Sequence, residues 1–477
     1  MSVKIENHFE PVKAGRGAKL GRSRRTRHAA RAVAAIATVA AASSGLGYVA
    51  PQAMATAHVT LNVEMEAQTS PAVAKRQAAF FKTLTGTFEK QNPNITLKIT
   101  TYTEAVSTLI DTIVSSHSGP NVLELGTTYI PTVVDTGAFL GYTKKMLHEV
   151  GFADLVPAAT EMDGVPGKEP VGIPDSAQPF VLWYNKAMFK KAGIASPPTT
   201  WSEFIADAEK LTDASAGVYG AVAAPADPTY NNHATWLLSE QDGGQLINSK
   251  AALFSSKPVA EEVQFYVNWM EKYHIIAPTD SQYTESDAVS AFLDGKAAMF
   301  PVGGLYDLAQ IDATASSAFV KNNLGVAVNP VIPYGDSTTP AGGKAAPSFV
   351  SGQEQVIFRY SSSSAEVQAA LKWLRFYTSA SVQEQLPDLF GTLPINKHAY
   401  SASYLQTPIW KTFEATEEKS EPTPLVAGWL ELASVWAPAL SKVFDDVALG
   451  HYTTSDLSTT ETSADQEIDS AISSLKP

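Results

Sequence analysis

No cysteine occurs anywhere in the 477 residues. That excludes a disulfide framework, a cysteine-based zinc or redox centre, and a lipid carried on an N-terminal cysteine. Charge is sparse as well: Asp, Glu, Lys and Arg make up 17% of the chain against 44% hydrophobic residues, the balance of a soluble body that buries a large core. Missing too are a Walker A loop, a G-x-S-x-G elbow, an H-E-x-x-H helix and a dinucleotide fingerprint. His117, His148, His233, His274, His398 and His451 are scattered, none at metal-ligand spacing, and carboxylate pairs such as Glu261-Glu262 and Asp445-Asp446 sit on polar helix faces. Neither a metal nor a cofactor is expected, and a binding protein is favoured over an enzyme.

The amino end differs from the rest. Its first 31 residues hold Lys4, Lys13, Arg16, Lys19, Arg22, Arg24, Arg25, Arg27 and Arg31 against Glu6 and Glu10, and no further charge appears until Glu64. A basic lead, an Ala/Val-rich uncharged stretch from Ala32 and small residues at Ala53-Met54-Ala55 predict a secretory signal cleaved after Ala55, or after Ala57. Ser23-Arg24-Arg25 resembles a twin-arginine signal but lacks the apolar residues expected after the pair, so the Sec and Tat routes both stay open. The competing reading, an uncleaved membrane anchor, is weakened by Ser43, Ser44, Gly45, Gly47 and Pro51, which interrupt the stretch. Cleavage after residue 55 takes nine basic and two acidic side chains from 35 and 48, leaving 26 against 46 and a net charge of −20 rather than −13. Such an acidic body disfavours nucleic acid and anionic membrane as partners. A periplasmic or secreted protein, not a lipoprotein, follows.

The stretch from Glu169 to Leu211 is the most readable. Phe180 to Tyr184 is an apolar run of strand length, Asn185 can cap a short helix over Lys186–Ala192, and Gly193 closes it. Pro197 and Pro198 forbid helix, after which Thr200 and Glu203 form a capping box ahead of Trp201, Phe204, Ile205, Ala208 and Leu211, an apolar stripe at helical spacing. This order of Tyr184-Asn185-Lys186, Phe189, Ala192-Gly193, Pro198 and Thr200-Trp201 resembles the family 1 extracellular solute-binding proteins of ABC importers, the maltose-binding-like group. Gly295-Lys296-Ala297-Ala298-Met299, Gly303-Gly304, Gly342-Gly343 and Gly391-Thr392-Leu393-Pro394 resemble later stations of that family in the same order, so the likeness covers Val59 to Leu449. It implies an α/β protein with the two-lobed, type II periplasmic-binding fold. Each lobe is expected to be a mostly parallel sheet flanked by helices, with the ligand in a cleft at a multi-strand hinge.

Strands at Leu61–Met65, Ile95–Tyr102 and Val122–Leu125 alternate with helices at Pro71–Lys90 and Glu104–Ser115, a βαβα pattern. Further helices are expected at Asn232–Gln241, Lys257–Tyr273, Ser286–Asp294, Ala365–Ser379, Ser381–Leu386, Pro408–Glu417 and Leu425–Leu449. The Ser/Thr-rich Tyr452–Ser463 reads as a loop before a last short helix at Ala464–Leu475. The resemblance places residues 56–170 and 303–351, with a strand at Val326–Ile332, in the N-terminal lobe. It places 171–302 and 352–477, with a strand at Gln355–Arg359, in the C-terminal lobe.

Cleft binding of a sugar asks for aromatic faces and short polar groups. At strand ends, the usual binding edge of such sheets, stand Glu66, then Gly126, Thr127 and Thr128, then Asp175 to Gln178. Gly303 and Gly304 allow close backbone approach and open a helix whose N–H groups can donate. Trp236, ahead of Asp242-Gly243-Gly244, stands at the spacing where relatives carry a stacking tryptophan, and Trp429 where they place another ligand-facing aromatic. A core tryptophan is the competing reading for both. Where several sugar binders have an aromatic directly after the glycine pair, Leu305 stands here with Tyr306 next, which departs from a maltose-like site. The resemblance thus implies a monomeric receptor that delivers a mono- or oligosaccharide to an ABC permease. A secreted glycan-processing enzyme, and a receptor for glycerol phosphate or polyamine, are the alternatives.

Overall fold

The computed structural model describes residues 58–68, 71–332, 342–360, 362–426 and 428–475. The expected signal lies outside them. Among the described residues no helix is long and apolar enough to cross a membrane.

Two sheets organise the chain. The first has the order β2-β1-β3-β9-β4, from β1 (Val59–Glu66), β2 (Ile95–Tyr102), β3 (Val122–Gly126), β4 (Gly172–Ala177) and β9 (Gly352–Ile357). The second is β6-β7-β5-β8, from β5 (Phe180–Asn185), β6 (Tyr219–Ala221), β7 (Ala297–Gly304) and β8 (Leu324–Ala327). Strands β1, β2 and β3 run parallel, whereas β9 is antiparallel to both β3 and β4. In the second sheet β6 and β7 are parallel, and β5 is antiparallel to β7 and β8. The sheets are therefore mixed, because strands that return from the other lobe enter against the local direction.

Local readings hold well. The helix Trp201–Leu211 carries the reciprocal Thr200–Glu203 capping box, and it buries Trp201, Phe204, Ile205, Ala208 and Leu211. Asn185 caps Lys186–Ala192 through the Ala187 and Met188 N–H groups, and Gly193 closes that helix at φ 69°. One local reading fails: Tyr452–Ser463 is mostly helix, part of a single helix Thr454–Leu475. Leu457, Glu461, Ala464 and Ile468, spaced four, three and four apart, are all buried. That stripe packs on the helix Trp429–Ala448 and outweighs the poor helix propensity of Ser and Thr.

Placement between the sheets departs more. The chain leaves the first sheet after β4 and enters the second at Phe180, so the change falls near Gln178 rather than at 171. Residues 324–327, expected in the first lobe, pair with β5 of the second sheet. Conversely β9, expected in the second lobe, is hydrogen-bonded between β3 and β4, and the helix Ser364–Tyr377 packs on β1. The chain then passes back, since the helix Pro408–Glu417 packs on β5 and β8. The expectation took Gly303-Gly304 as the return point, but β7 runs through both glycines while paired to Val181 and Phe180. The crossing segments near 178–180 and 349–352 are adjacent: the Gln178 N–H donates to the Ser351 carbonyl at 2.8 Å, and that of Phe180 to Ser348 Oγ at 2.9 Å.

Candidate functional site

The C-terminal ends of β1 and β4 and the start of β9 converge at one edge of the first sheet. Asp175 lies where the β4–β9 register slips between Pro174 and Ser176, a bulge that turns its carboxylate into the interior. There Gln355 Nε2 donates to Asp175 Oδ2 at 2.8 Å, and the Asp175 carboxyl is hydrogen-bonded to that of Glu124 on β3. Burial pushes both carboxyls up, Asp175 to about 6, and the negative neighbour raises Glu124 further. The pair therefore holds a proton between them near neutral pH. Glu124 Oε2 also accepts the Glu66 N–H at 2.7 Å, while Gln353 Nε2 donates to Glu66 Oε2 at 2.7 Å and Gln77 Nε2 to the Glu66 carbonyl at 2.7 Å. Glu66 is itself raised by burial, partly offset by the Gln353 bond. Glu66, Gln77, Glu124, Asp175 and Gln353, with Gln178, line a recess of about 40 Å³ whose lining holds no Lys or Arg.

Of the expected residues, Glu66, Asp175 and Gln178 thus come together. Gly126 ends β3 opposite Gln353 and opens the turn Thr127–Tyr129, which lies against the helix Trp429–Ala448 of the other lobe. Trp429 is 4% exposed at the start of that helix, and Thr127 is buried while Thr128 is half-buried. Two residues on, the Glu431 carboxyl is raised by burial and then by Asp111 of the first lobe. The Thr127 turn and the helix that Trp429 opens therefore lie where the two lobes face one another.

Trp236, Gly303, Gly304 and Tyr306 form a second group, built on β7 and the helix Pro228–Gln241. Phe349 and Phe180 are in ring contact at 4.4 Å, His233 packs on both at 4.0 and 4.8 Å, and Trp236 stands edge-on to Phe349 at 5.6 Å. Trp236 is only 1% exposed, and its indole N–H has no partner among the described residues. Burial lowers the His233 pKa to about 3, so the ring is neutral. Tyr306 meets Phe180 edge-on at 5.9 Å and its hydroxyl donates to Glu285. The Glu285 carboxyl, raised to about 7 by burial, is hydrogen-bonded to Asp307.

The glycine pair has a different use from the one expected. A Cβ on Gly303 would come within 2.4 Å of the Trp183 indole, and one on Gly304 within 2.4 Å of the Tyr306 ring. Side chains of the lobe fill that space, and the Gly304 N–H points at the buried carboxyls Glu285 and Asp307. Just before the pair, Val302 holds φ 55°, a strained value for a β-branched residue, with its N–H held by Asn329 Oδ1 at 2.9 Å.

Sequence reasoning missed Glu124, Gln353, His233 and Glu285. One signal existed: Gln353, Glu354 and Gln355 put three polar residues into a strand whose burial would otherwise demand apolar ones. Among the described residues no cluster of His, Asp or Glu is arranged to hold a metal ion.

The profile of the family described as bacterial extracellular solute-binding protein matches residues 67–384. A Bacillus subtilis maltodextrin-binding protein is 25% identical over 297 residues, covering 57% of this chain and 61% of that protein. A Brucella abortus protein named only as a binding protein is 24% identical over 372 residues, 76% of this chain and 84% of its own. Among solved structures, maltose-bound T. maritima MalE3 superposes with a TM-score of 0.69 at 20% identity, covering 87% of this chain and 100% of that one. An Agrobacterium vitis solute-binding protein with bound D-mannitol gives 0.65 at 21% identity over 87% and 99%.

Proposed function

Because the chain belongs to the bacterial extracellular solute-binding proteins, we propose that it captures a neutral sugar or sugar alcohol between its two lobes and delivers it to the permease of an ABC importer. The carrying observation is the cation-free recess where Glu66, Gln178 and Gln353 meet at the edge of the first sheet. Carboxylate and carboxamide oxygens accept from hydroxyls, and a phosphorylated ligand would ask for Arg or Lys. A polyamine is disfavoured because Glu124 and Asp175 share a proton, which lowers the negative charge beneath the recess. Hydrolysis needs two carboxyls flanking a bond about 5–9.5 Å apart, whereas Asp175 is buried in a bulge and bonded to Glu124. The maltose, mannitol and maltodextrin of the relatives agree in chemical class with this reading.

Capture by two lobes shifts an open–closed equilibrium, since ligand touches both lobes only when they close. Small-angle scattering with and without a saturating sugar should show a smaller radius of gyration. An unchanged radius sinks the closure, and turnover of an oligosaccharide panel sinks the receptor reading. We further propose that the protein acts as a monomer, exported and cleaved after Ala55. Amino-terminal sequencing of the exported form should then begin at Thr56 or, for the second site, His58, while an intact basic lead would mean a retained anchor.

A further inference from the structure

Glu417 closes the helix Pro408–Glu417, which packs on β5 and β8 of the second lobe. It is 1% exposed, and neither of its carboxylate oxygens has a partner among the described residues. Across from it stands an acid of the other lobe: Glu161, next to the turn Ala158–Thr160 that packs on β4, is the charge that acts on Glu417. The two lobes touch here directly, since Thr423 Oγ1 donates to Met162 Sδ at 3.9 Å. The same stretch runs beside the crossing segment near 349–352. The Glu421 N–H donates to the Ser348 carbonyl at 3.1 Å, and the Glu421 carbonyl accepts the Val350 N–H at 2.8 Å. Lys344, the neighbouring cation, is held within 2.9 Å of both Glu240 and Glu421, and it partly offsets the charge of Glu421 on Glu161. Tyr400 is also close, its hydroxyl pushed up by burial and then by Glu417, Glu414 and Glu418.

A carboxylate with neither donor nor cation is costlier to bury than an unpaired neutral group, and glutamine would fill the same space without the charge. An acid at this point therefore needs a reason. Its setting supplies one, because it faces a second acid across the seam between the lobes, beside a segment on which they hinge. With a proton, Glu417 is a neutral group that can rest against Glu161. Once ionised, it repels Glu161 and gains hydration only if the seam parts. We infer that Glu417 is a proton-controlled latch between the lobes, which holds the segment 416–423 against Glu161 and Met162 when protonated and releases it when charged. The assignment rests on the receptor reading above, since the latch regulates the closure on which capture depends. In the same conformation the Thr127 turn lies against the helix Trp429–Ala448 of the second lobe, so release works against closure. Burial raises Glu417 to about 8, whereas an exposed Glu titrates near 4. The closed form therefore binds more protons than the open one. Its advantage is whole below about pH 4, shrinks by up to about tenfold per pH unit between about pH 4 and pH 8, and is gone above.

Small-angle scattering from the unliganded mature protein at pH 6 and pH 9, at constant ionic strength, reads the latch directly. The expected result is a larger radius of gyration at pH 9 for wild type, and a radius that stays at its pH 6 value for Glu417→Gln, which is neutral throughout. Calorimetric titration with maltose, maltotriose, D-glucose and D-mannitol reads the consequence. The probe that wild type binds should bind about tenfold or more weakly at pH 8 than at pH 6, and Glu417→Gln should lose most of that difference. Glu161→Gln, at an exposed position, should reduce both pH effects and keeps the test open if Glu417→Gln does not fold. Glu461→Gln is the control: this acid of the helix Thr454–Leu475 is raised to about 7 by burial and Asp465, so its loss should alter thermal stability with pH and leave both effects intact. A radius that does not respond to pH in wild type, or a response that survives unchanged in Glu417→Gln and Glu161→Gln, overturns the latch and leaves the receptor reading standing. If wild type binds none of the four probes the receptor reading fails, while the scattering still decides the latch.

Discussion

The unliganded protein should unfold at a higher temperature at pH 5.5 than at pH 8. Burial raises Asp163 to about 7, Asp280 to about 8, Glu285 to about 7 and Glu417 to about 8, and pushes Glu124, Glu354 and Asp307 upward as well. In the unfolded chain these acids titrate near 4. Between about pH 4 and pH 8 the native state therefore binds more protons than the unfolded state, and stability falls as pH rises. The contribution is whole below about pH 4 and lost as pH climbs through roughly 6 to 8, the opposite of a salt-bridged carboxylate. An acid raised by about two units contributes roughly 3 kcal/mol, so several together should move the midpoint by many degrees. Glu417 isolates the effect, because both its carboxylate oxygens are buried beside Glu161 without a partner among the described residues. Glu417→Gln should raise the midpoint at pH 8 and flatten the profile. Circular-dichroism melts at constant ionic strength check both, and a midpoint that climbs from pH 5.5 to 8 would show that these acids are charged in the native state.

Why the sequence discloses some of this and not the rest follows from the range of the forces. A capping box at Thr200 and Glu203, an Asn185 cap and a Gly193 stop act within four residues, so the helices they bound are readable directly. Which sheet a strand joins depends on partners more than a hundred residues away. Leu324–Ala327 meets β5 and Gly352–Ile357 meets β3, and nothing in either segment's own pattern distinguishes the two outcomes. The same divide runs through the site. Glu66, Asp175 and Gln178 follow visible strand ends, so their convergence is anticipated. Glu124 stands inside β3, and its role depends on the bulge at Asp175, which only the β4–β9 register creates. On the helix Pro228–Gln241, likewise, Asn231 donates to the Pro225 carbonyl while Asn232 Oδ1 is buried with no partner among the described residues, a difference invisible locally because the two differ only in the face they present.

Trp236→Ala should lower both stability and affinity, a combination that neither a purely ligand-facing nor a purely structural tryptophan would give. Its ring is 1% exposed and packs edge-on against Phe349, so truncation leaves a cavity and should cost about 3–5 kcal/mol of folding free energy. Its indole N–H has no partner among the described residues, so the polar end of the side chain is unused by them. Trp236→Phe separates the two contributions: the aromatic ring still fills most of the site, and only the donor and part of the volume are lost. The unliganded midpoint of Trp236→Phe should fall by far less than that of Trp236→Ala, while affinity for the sugar falls by about 1–3 kcal/mol, the scale of an aromatic hot spot. Thermal unfolding across a ligand titration reads both quantities at once, because bound ligand raises the midpoint by mass action. A Trp236→Phe protein that melts early yet gains as much from ligand as wild type would return this tryptophan to the core alone.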